Sequence, residues 1–572
     1  MPAPASPAPA PLDTASLDTV LRTAAGPDPV LLPGDRSVAD EILARLDAAA
    51  PGALLSSWEP DTEIDAAGLA AQVRAVAAGL VADGVRRGDR VALLGGNDIG
   101  WVVLDLALLA VGAIVVPIYP TSAPAQVAHA VADSGAVRCL VGTAAHEAAA
   151  AGLPGVERID AALPRLVAAG RAVADAVLAD RTALVRADDV ATIVYTSGTT
   201  GAPKGCVLTH RNLHAAAANV VSVLPELFTT AEAGRRPRTL LFLPLAHVFG
   251  RVTALGCLWA GVHTGLLATA AELTERTPAF GPDFLVVVPY ALERIRKAAR
   301  AVGLDPDAER AVVAAGEAGR LAEGPVAGAM RAALGGRLRH VICGGATLDP
   351  TTAAFTEALG VRVLGAYGLT ESSTAVSMSG PGRVRAGRVG RPLPGTTVAI
   401  ADDGEVLVRG PQVSPGYWGV RGEPYPDGWL HTGDLGSLDD DGYLAITGRR
   451  KEIIVTSGGK NVAPEPLEDR IRLHPGVAAA VVVGEGRPYV TALVTLDPPA
   501  TGDPDADPAL RAAVAAAVDD ANSLVSRAES VRRFRLLPGA FTVDDGTMTP
   551  SLKIRRSVVA ARYAAEIDAL YR

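Results

Sequence analysis

Residues 192–210 read TIVYTSGTTGAPKGCVLTH. The preceding ATIVYT (191–196) is a short apolar run of strand type, so the segment after it leaves the carboxyl end of a buried strand. Gly198, Gly201 and Gly205 let the backbone fold back and turn its N–H groups inward, Thr196, Ser197, Thr199 and Thr200 add hydroxyl donors, and Lys204 adds a charge. Together they suit a polyphosphate. The spacing is not that of a Walker A loop, in which Gly-Lys-Ser/Thr opens a helix. Here Lys204 runs into Gly-Cys-Val-Leu, a second strand, and a helix begins only after Thr209. Taken alone, a Ser/Thr/Gly run is also an ordinary polar turn.

Outward from this loop, strand-like and helical pieces alternate. RVALLG (90–95), AIVVPIY (113–119), LRHVICGG (338–345) and VRVLGAYG (361–368) are short apolar runs, several ending in glycine, and AAGLAAQVRAVAAGLVADGV (66–85) has helical i, i+3, i+4 spacing. Such alternation predicts α/β layers with largely parallel strands up to about residue 445, with ligands at the strands' carboxyl ends. From GEVLVRGPQVSPGYWG (404–419) the texture shifts to short β pieces with Gly/Pro turns. After YLAITGRRKEIIV (443–455) a smaller α+β segment begins, closing on helix-like SVVAARYAAEIDALYR. The expected division is a disordered Pro/Ala tail at 1–12, a large N-terminal domain at 13–448 and a small C-terminal domain at 449–572.

Composition narrows the function. At 572 residues the chain exceeds one ordinary core, and its net charge of −9, without a long Lys/Arg run, argues against nucleic acid. Cys139, Cys206, Cys257 and Cys343 are too widely spaced for a metal site and read as buried thiols in a reducing compartment. MPAPASPAPAPL has neither the basic start nor the apolar run of a signal peptide. Two stretches are apolar enough to suggest membrane spans. Residues 101–120 contain Asp105, Gly112 and Pro117, which predicts helix, turn and strand. Residues 240–267 carry His247, Arg251 and His263, which predicts a core helix with a polar edge. The expectation is a soluble, cytoplasmic protein without a transmembrane segment, with peripheral membrane contact left open.

YTSGTTGAPKG (195–205) resembles the phosphate loop of the adenylate-forming enzymes, a superfamily that includes acyl-CoA synthetases. GAYGLTESS (365–373), GWLHTGDLG (428–436), GRRKEIIVTSGGKNVAPEPLE (448–468) and TPSLKIRR (549–556) follow in that family's order. PLAHVFGR (244–251) and TSGGKNVAPEPLE (456–468) look most like the long-chain fatty acyl-CoA synthetase branch. The resemblance implies layered α/β sheets plus a distorted β-barrel in the large domain, with a mobile small domain. It implies ATP, a fatty acid and CoA as substrates, and Mg²⁺ as cofactor.

The resemblance also implies roles. Thr196 to Lys204 would hold the β- and γ-phosphates, while Thr370 and Glu371, after a turn at Gly368, would sit at the phosphates with Glu371 on Mg²⁺. Asp434 would accept the two ribose hydroxyls, with Arg449 beside it. Gly344, Gly345 and Ala346 would pack against adenine or the acyl carbonyl, and Tyr367 would stack on the base. His247 would lie near the carboxylate, and Lys553 would bridge it to the α-phosphate. Lys451 would be the hinge, and Gly458 and Gly459 would border the thiol. Out of context several have plainer readings: a surface acid for Glu371, an Asx turn for Asp434, a core residue in an apolar helix for His247, a basic patch for Lys553 with Arg555 and Arg556. Tyr290 and NDIGW (97–101) depart from the long-chain pattern. Three functions stand at this stage: a fatty acid–CoA ligase, a ligase that loads a carrier protein or activates another acid, and a non-catalytic nucleotide-binding regulator.

Overall fold

The computed structural model describes residues 22–58, 61–196, 203–229, 235–301, 304–549 and 553–572. The Pro/Ala tail and Ser197, Gly198, Thr199, Thr200 and Gly201 of the phosphate loop lie outside them. The chain forms an α/β structure of three mixed sheets with covering helices, an antiparallel half-barrel, and a smaller α+β unit at the C-terminus.

The first sheet runs Val156–Arg158, Arg138–Val141, Arg90–Leu94, Ile114–Ile118, Val190–Thr196, Lys204–Thr209. Its first five strands are parallel, and the last folds back antiparallel on Val190–Thr196. The helix His210–Val223 follows immediately, capped by the Thr209 side chain. The strand–loop–strand–helix order expected around the opening motif is therefore present. The second sheet joins Arg238–Leu241, His263–Leu266, Ala53–Trp58 and Asp61–Asp65.

Both apolar stretches resolve into globular pieces. Residues 101–120 give the rest of the helix Ile99–Ala110, a turn at Gly112 with φ of +76°, and the strand Ile114–Ile118. Residues 240–267 hold the helix Val248–Ala260 between two strands. Among the described residues no helix is long and apolar enough to cross a membrane.

The third sheet begins parallel, with Phe284–Val287, His340–Cys343 and Arg362–Leu369, then turns antiparallel into Thr374–Met378 and Arg391–Pro392. The parallel pattern thus ends near Leu369 rather than near residue 445. The reason is local: four residues separate Leu369 from Thr374, enough for a hairpin but not for a crossover. Gly368 is not a turn either. It lies in the strand Arg362–Leu369, next to a register shift, and a Cβ there would lie 1.5 Å from the Thr374 carbonyl oxygen. Only glycine permits that approach.

The half-barrel comprises Arg22–Ala25, Thr397–Ile400, Glu405–Arg409, Leu430–Leu438 and Leu444–Arg449, all antiparallel. The C-terminal unit packs the helices Glu465–Arg472 and Pro508–Asn522 on Val477–Val483, Thr491–Leu496 and Arg533–Leu537. The expected single closing helix is two, Arg556–Arg562 and Ala564–Ala569, broken at Tyr563.

Candidate active site

The site gathers the carboxyl ends of strands from the first and third sheets, the edge of the half-barrel and one hairpin of the C-terminal unit. Thr196 and Lys204, the residues flanking the undescribed part of the loop, face each other in the ladder, and Lys204 is exposed. The next segment of the wall was not foreseen. Gly416–Trp418 pairs with the strand after the loop: Trp418 donates its N–H to the Gly205 carbonyl at 2.7 Å, and Val207 donates to Gly416 at 2.9 Å. This brings the Tyr417 ring 5.7 Å from the Lys204 ammonium. The Tyr417 hydroxyl donates to Glu371 Oε1 at 2.5 Å.

Glu371 sits in the short 3₁₀ turn Thr370–Ser372. The turn is held by Ser372 Oγ, which accepts from the Leu369 N–H and donates to the Leu369 and Thr374 carbonyls. It exits through Ser373 and Thr374, whose φ values of +53° and +129° are strained for side-chain-bearing residues. With Oε1 engaged by Tyr417, Oε2 of Glu371 has no hydrogen-bond partner among the described residues. No cluster of three or more His, Cys, Asp or Glu side chains suited to a metal occurs among the described residues. A single carboxylate fits a Mg²⁺ ion held mainly by phosphate oxygens and water, and it does not fit an all-protein cage.

Asp434 is not in an Asx turn. It lies within the strand Leu430–Leu438, directly opposite Arg449, its side chain 7% exposed. Arg449 Nε donates to Oδ1 at 2.7 Å and the Tyr367 hydroxyl to Oδ2 at 2.7 Å. Burial and the adjacent Asp434 charge hold the Tyr367 phenol well above its ordinary pKa, so it remains a donor. Arg449 Nη2 adds only a long bond to Oδ2, at 3.5 Å, so among the described residues Oδ1 keeps a lone pair and Oδ2 a weakly engaged one, the two acceptors a vicinal diol requires. Beside them the strand His340–Cys343 ends at Gly344, Gly345 and Ala346. Gly345 has φ of +86°, and a Cβ on Gly344 would lie 2.9 Å from the Ala366 carbonyl oxygen.

His247 is not inside an apolar helix. It caps the helix Val248–Ala260, its Nδ1 accepting from the Phe249 N–H at 3.0 Å. That bond assigns the proton of the neutral ring to Nε2. Burial and the nearby Lys553 charge lower the imidazole pKa to about 4. Asn97 steadies the approach to His247 by donating to the Leu241 and Leu243 carbonyls and accepting from the Leu245 N–H. NDIGW had signalled only a departure from pattern, and this clamp is its first residue.

Lys553 comes from the C-terminal unit. Its backbone pairs with Thr549, and the Met548–Ile554 bridge closes the hairpin around it. The Lys553 residue keeps accessible surface. The surrounding protein nevertheless lowers its pKa, by burial first and then by Arg449, against the opposing pull of Glu465, Glu452 and Asp434. Its basic neighbours turn elsewhere: Arg555 reaches the Gly546 carbonyl, and Arg556 pairs with Glu468 and the Val482 carbonyl. Glu465, another residue the sequence did not flag, crosses to Thr347 Oγ1 at 3.2 Å, and burial raises its pKa.

Lys451 is exposed in the 3₁₀ turn Arg450–Glu452, directly after the last half-barrel strand. Gly458 and Gly459 lie between the strands Ile454–Val455 and Asn461–Val462. Both are exposed, and a Cβ on Gly459 would meet no atom within 4 Å. They are not assembled with the nucleotide-type residues in this arrangement.

The assembled groups are three cations, a carboxylate with spare lone pairs, a second carboxylate for a cation and a neutral imidazole donor. They suit a nucleoside triphosphate approached by another anion. Comparison with known proteins agrees. A model for AMP-binding enzymes matches residues 49–418, and one for the AMP-binding enzyme C-terminal domain matches residues 451–572. Long-chain-fatty-acid–CoA ligase FadD15 of Mycobacterium bovis is 41% identical over 559 residues, covering 89% of this chain and 92% of that protein. The solved structure of a Mycobacterium tuberculosis fatty acyl CoA synthetase superposes with a TM-score of 0.62 at 25% identity, covering 93% and 99% of the two chains. The anthranilate CoA ligase AuaEII, solved with anthranoyl-AMP, shares the fold with a TM-score of 0.72 at 21% identity, covering 94% and 99%.

Proposed function

Because this chain belongs to the AMP-binding enzyme family, we infer that it is a long-chain fatty acid–CoA ligase. It converts a fatty acid and ATP to acyl-AMP and pyrophosphate, then passes the acyl group to the CoA thiol and releases AMP. The high identity to the M. bovis ligase across most of both chains supports the substrate class.

The chemistry assigned to each residue follows from charge. A carboxylate attacking the α-phosphate brings two anions together, so the site must supply positive charge and alignment. In our reading Lys204, with the loop from Thr196, neutralises the terminal phosphates. Lys553 spans the attacking carboxylate and the α-phosphate. His247 presents its Nε2–H to the same oxygens without adding a charge. Asp434 and Arg449 fix the ribose, and Tyr367 with Gly344 to Ala346 seats the base. Thr370 and Glu371 stand at the phosphates, where Mg²⁺, when bound through Glu371, neutralises the departing pyrophosphate. We assign residues 13–448 and 449–572 to two domains joined at Lys451, with Gly458 and Gly459 serving the thiol step. We place the reaction in the cytoplasm, with peripheral contact with a bilayer delivering the acid.

The observation that carries the adenylation chemistry is Lys553, a C-terminal lysine whose charge is felt by His247 and which itself feels Arg449 and Asp434. Lys553→Ala should slow acyl-AMP formation by about a hundred- to a thousand-fold, the usual loss for one transition-state electrostatic donor. Thioester formation from supplied acyl-AMP and CoA should stay near the wild-type rate. AMP, not ADP, should accumulate in the complete reaction. Adenylation at the wild-type rate in the folded variant would remove Lys553 from the chemistry, and ADP as product would remove the reaction class.

A further inference from the structure

Lys553 can serve the cleft only while the C-terminal unit is held against the large one, and a charged seam away from the nucleotide groups joins the two. The helix Pro289–Ala301 carries Glu293, Lys297 and Arg300 at i, i+4 and i+7, one face of a helix. Opposite stands the helix Glu465–Arg472 with the turn that follows it. Arg472 grips Glu293 with two parallel bonds, Nε to Oε2 and Nη2 to Oε1, both 2.9 Å, and Nη2 also donates to Asp469. The Glu293 side chain is 1% exposed. In the other direction, Lys297 donates to the Val477 carbonyl at 2.8 Å and Arg300 to the Leu473 carbonyl at 2.9 Å. Arg470 adds Asp349 at 3.2 Å and Thr351 at 2.9 Å. Asp349 itself caps the helix Pro350–Ala358, so this anchor is rigid.

The helix Glu465–Arg472 also links this seam to the catalytic hairpin. Glu465, at one end, meets Thr347 across the cleft. Glu468, in the middle, is paired with Arg556, three residues beyond Lys553. Arg470 and Arg472, at the other end, hold the seam. We propose that Arg472 and Arg470, through Glu293 and Asp349, are positioning residues for adenylation: they hold this helix, and with it the Lys553 hairpin, in the pose that places the ammonium in the cleft. The inference rests on the ligase reading above. It adds that the first half-reaction depends on an ion-pair seam that touches no substrate.

The buried carboxylate makes the claim selective. Arg472→Gln removes the guanidinium that Glu293 and Asp469 share and leaves the Glu293 carboxyl buried without its two bonds, which disfavours the closed pose. The test runs both half-reactions on the full-length enzyme: ATP–pyrophosphate exchange with a long-chain fatty acid, and thioester formation from supplied acyl-AMP and CoA. Arg472→Gln should reduce exchange at least about tenfold, while the second half-reaction, which also reports that the variant is folded, stays within about twofold of wild type. Glu293→Gln combined with Arg472→Gln should recover part of the exchange lost in the single variant, because the buried Glu293 charge is gone. Arg470→Gln should show the same split with a smaller loss. Equal loss of both half-reactions in Arg472→Gln, unchanged exchange, or no recovery in the double variant would overturn the seam's role. Absence of exchange with any fatty acid in the wild-type enzyme would overturn the ligase reading itself, so the two failures are distinguishable.

Discussion

Arg251 with Asp105 and Arg449 with Asp434 pair the same two residue types, the first through two short bonds and the second through one short bond and one of 3.5 Å, and their surroundings give them opposite uses. Arg251 Nε and Nη2 reach the two Asp105 oxygens at 2.9 and 2.5 Å, and Nη1 donates to Thr192 Oγ1 at 2.7 Å. The side chains are 2% and 4% exposed. Thr192 passes the chain on to the Val115 carbonyl, so the pair ties the helices Ile99–Ala110 and Val248–Ala260 to the strand that delivers the phosphate loop. Both Asp105 oxygens are engaged by the guanidinium in the buried interior. Arg449 instead keeps 42% of its side chain exposed, and Asp434 retains lone pairs toward the cleft. A closed pair serves the scaffold, and an open pair serves a ligand.

The largest effect should come from breaking the closed pair. Desolvation already pushes the Asp105 carboxyl above its ordinary pKa against the pull of Arg251. Arg251→Met would leave that carboxyl buried without its cation, and breaking such a pair costs about 3–5 kcal/mol. Urea unfolding should show a loss of that order. Asp105→Leu combined with Arg251→Met should restore much of it, because no uncompensated charge remains. Equal loss in the single and double variants would mean that packing, not charge, governs this site.

The open pair should respond in the reverse sense. Asp434→Asn keeps the shape and leaves Arg449 and Tyr367 facing a solvent-accessible cleft, so stability should change little. What is lost is an acceptor for charge-assisted bonds, each worth about 1.5–3 kcal/mol. The KM for ATP in pyrophosphate exchange should therefore rise roughly ten- to a hundred-fold. If Asp434→Asn unfolded as readily as Arg251→Met, the division between scaffold and ligand pair would collapse.

This contrast also marks where sequence stops informing. The strands on either side of the phosphate loop were legible because ATIVYT and CVL are apolar runs flanking a glycine-rich segment, and the helix after Thr209 because threonine caps it. Asp434, Arg449 and Lys553 could be singled out because each sits in an ordered motif. The partnership of Asp105 with Arg251 was not: 146 positions separate them, and each looked only like a polar interruption in an apolar stretch. Tyr417 escaped for a related reason. Its neighbours Pro415, Gly416 and Gly419 read as a turn, and nothing local says that its hydroxyl ends on Glu371, 46 positions earlier. Gly368 was read as a turn because glycine often marks one, whereas here it admits a neighbouring carbonyl. The pose of the C-terminal unit, set by Arg470 and Arg472 on distant carboxylates, is a tertiary fact with no local signature.

The smallest effect should be a pH dependence that fails to appear, and it separates the same two regions. His210 lies near Arg251 in the closed interior, its Nδ1 accepting from the Val38 N–H at 3.4 Å, and His247 lies in the cleft near Lys553. Burial first, with Arg251 adding to it, lowers the His210 pKa to about 4 despite Asp189, and burial with Lys553 does the same for His247. An unfolded imidazole titrates near about 6.5. Between the two values the unfolded chain binds more protons than the folded one, so stability falls as pH drops from about 6.5 toward about 4, for both histidines. In catalysis they must differ. His210 touches no substrate in our reading, whereas His247 donates its Nε2–H while neutral. A histidine with its ordinary pKa would change state across neutrality, and His247 should not. The ratio of adenylation rates for wild type and His247→Gln should therefore vary by less than about twofold between about pH 5.5 and about pH 8. ATP ionisation is common to both enzymes and cancels in that ratio. A ratio that swings with a midpoint near about 6.5 would show that His247 titrates in the working range, and the neutral-donor role would fall.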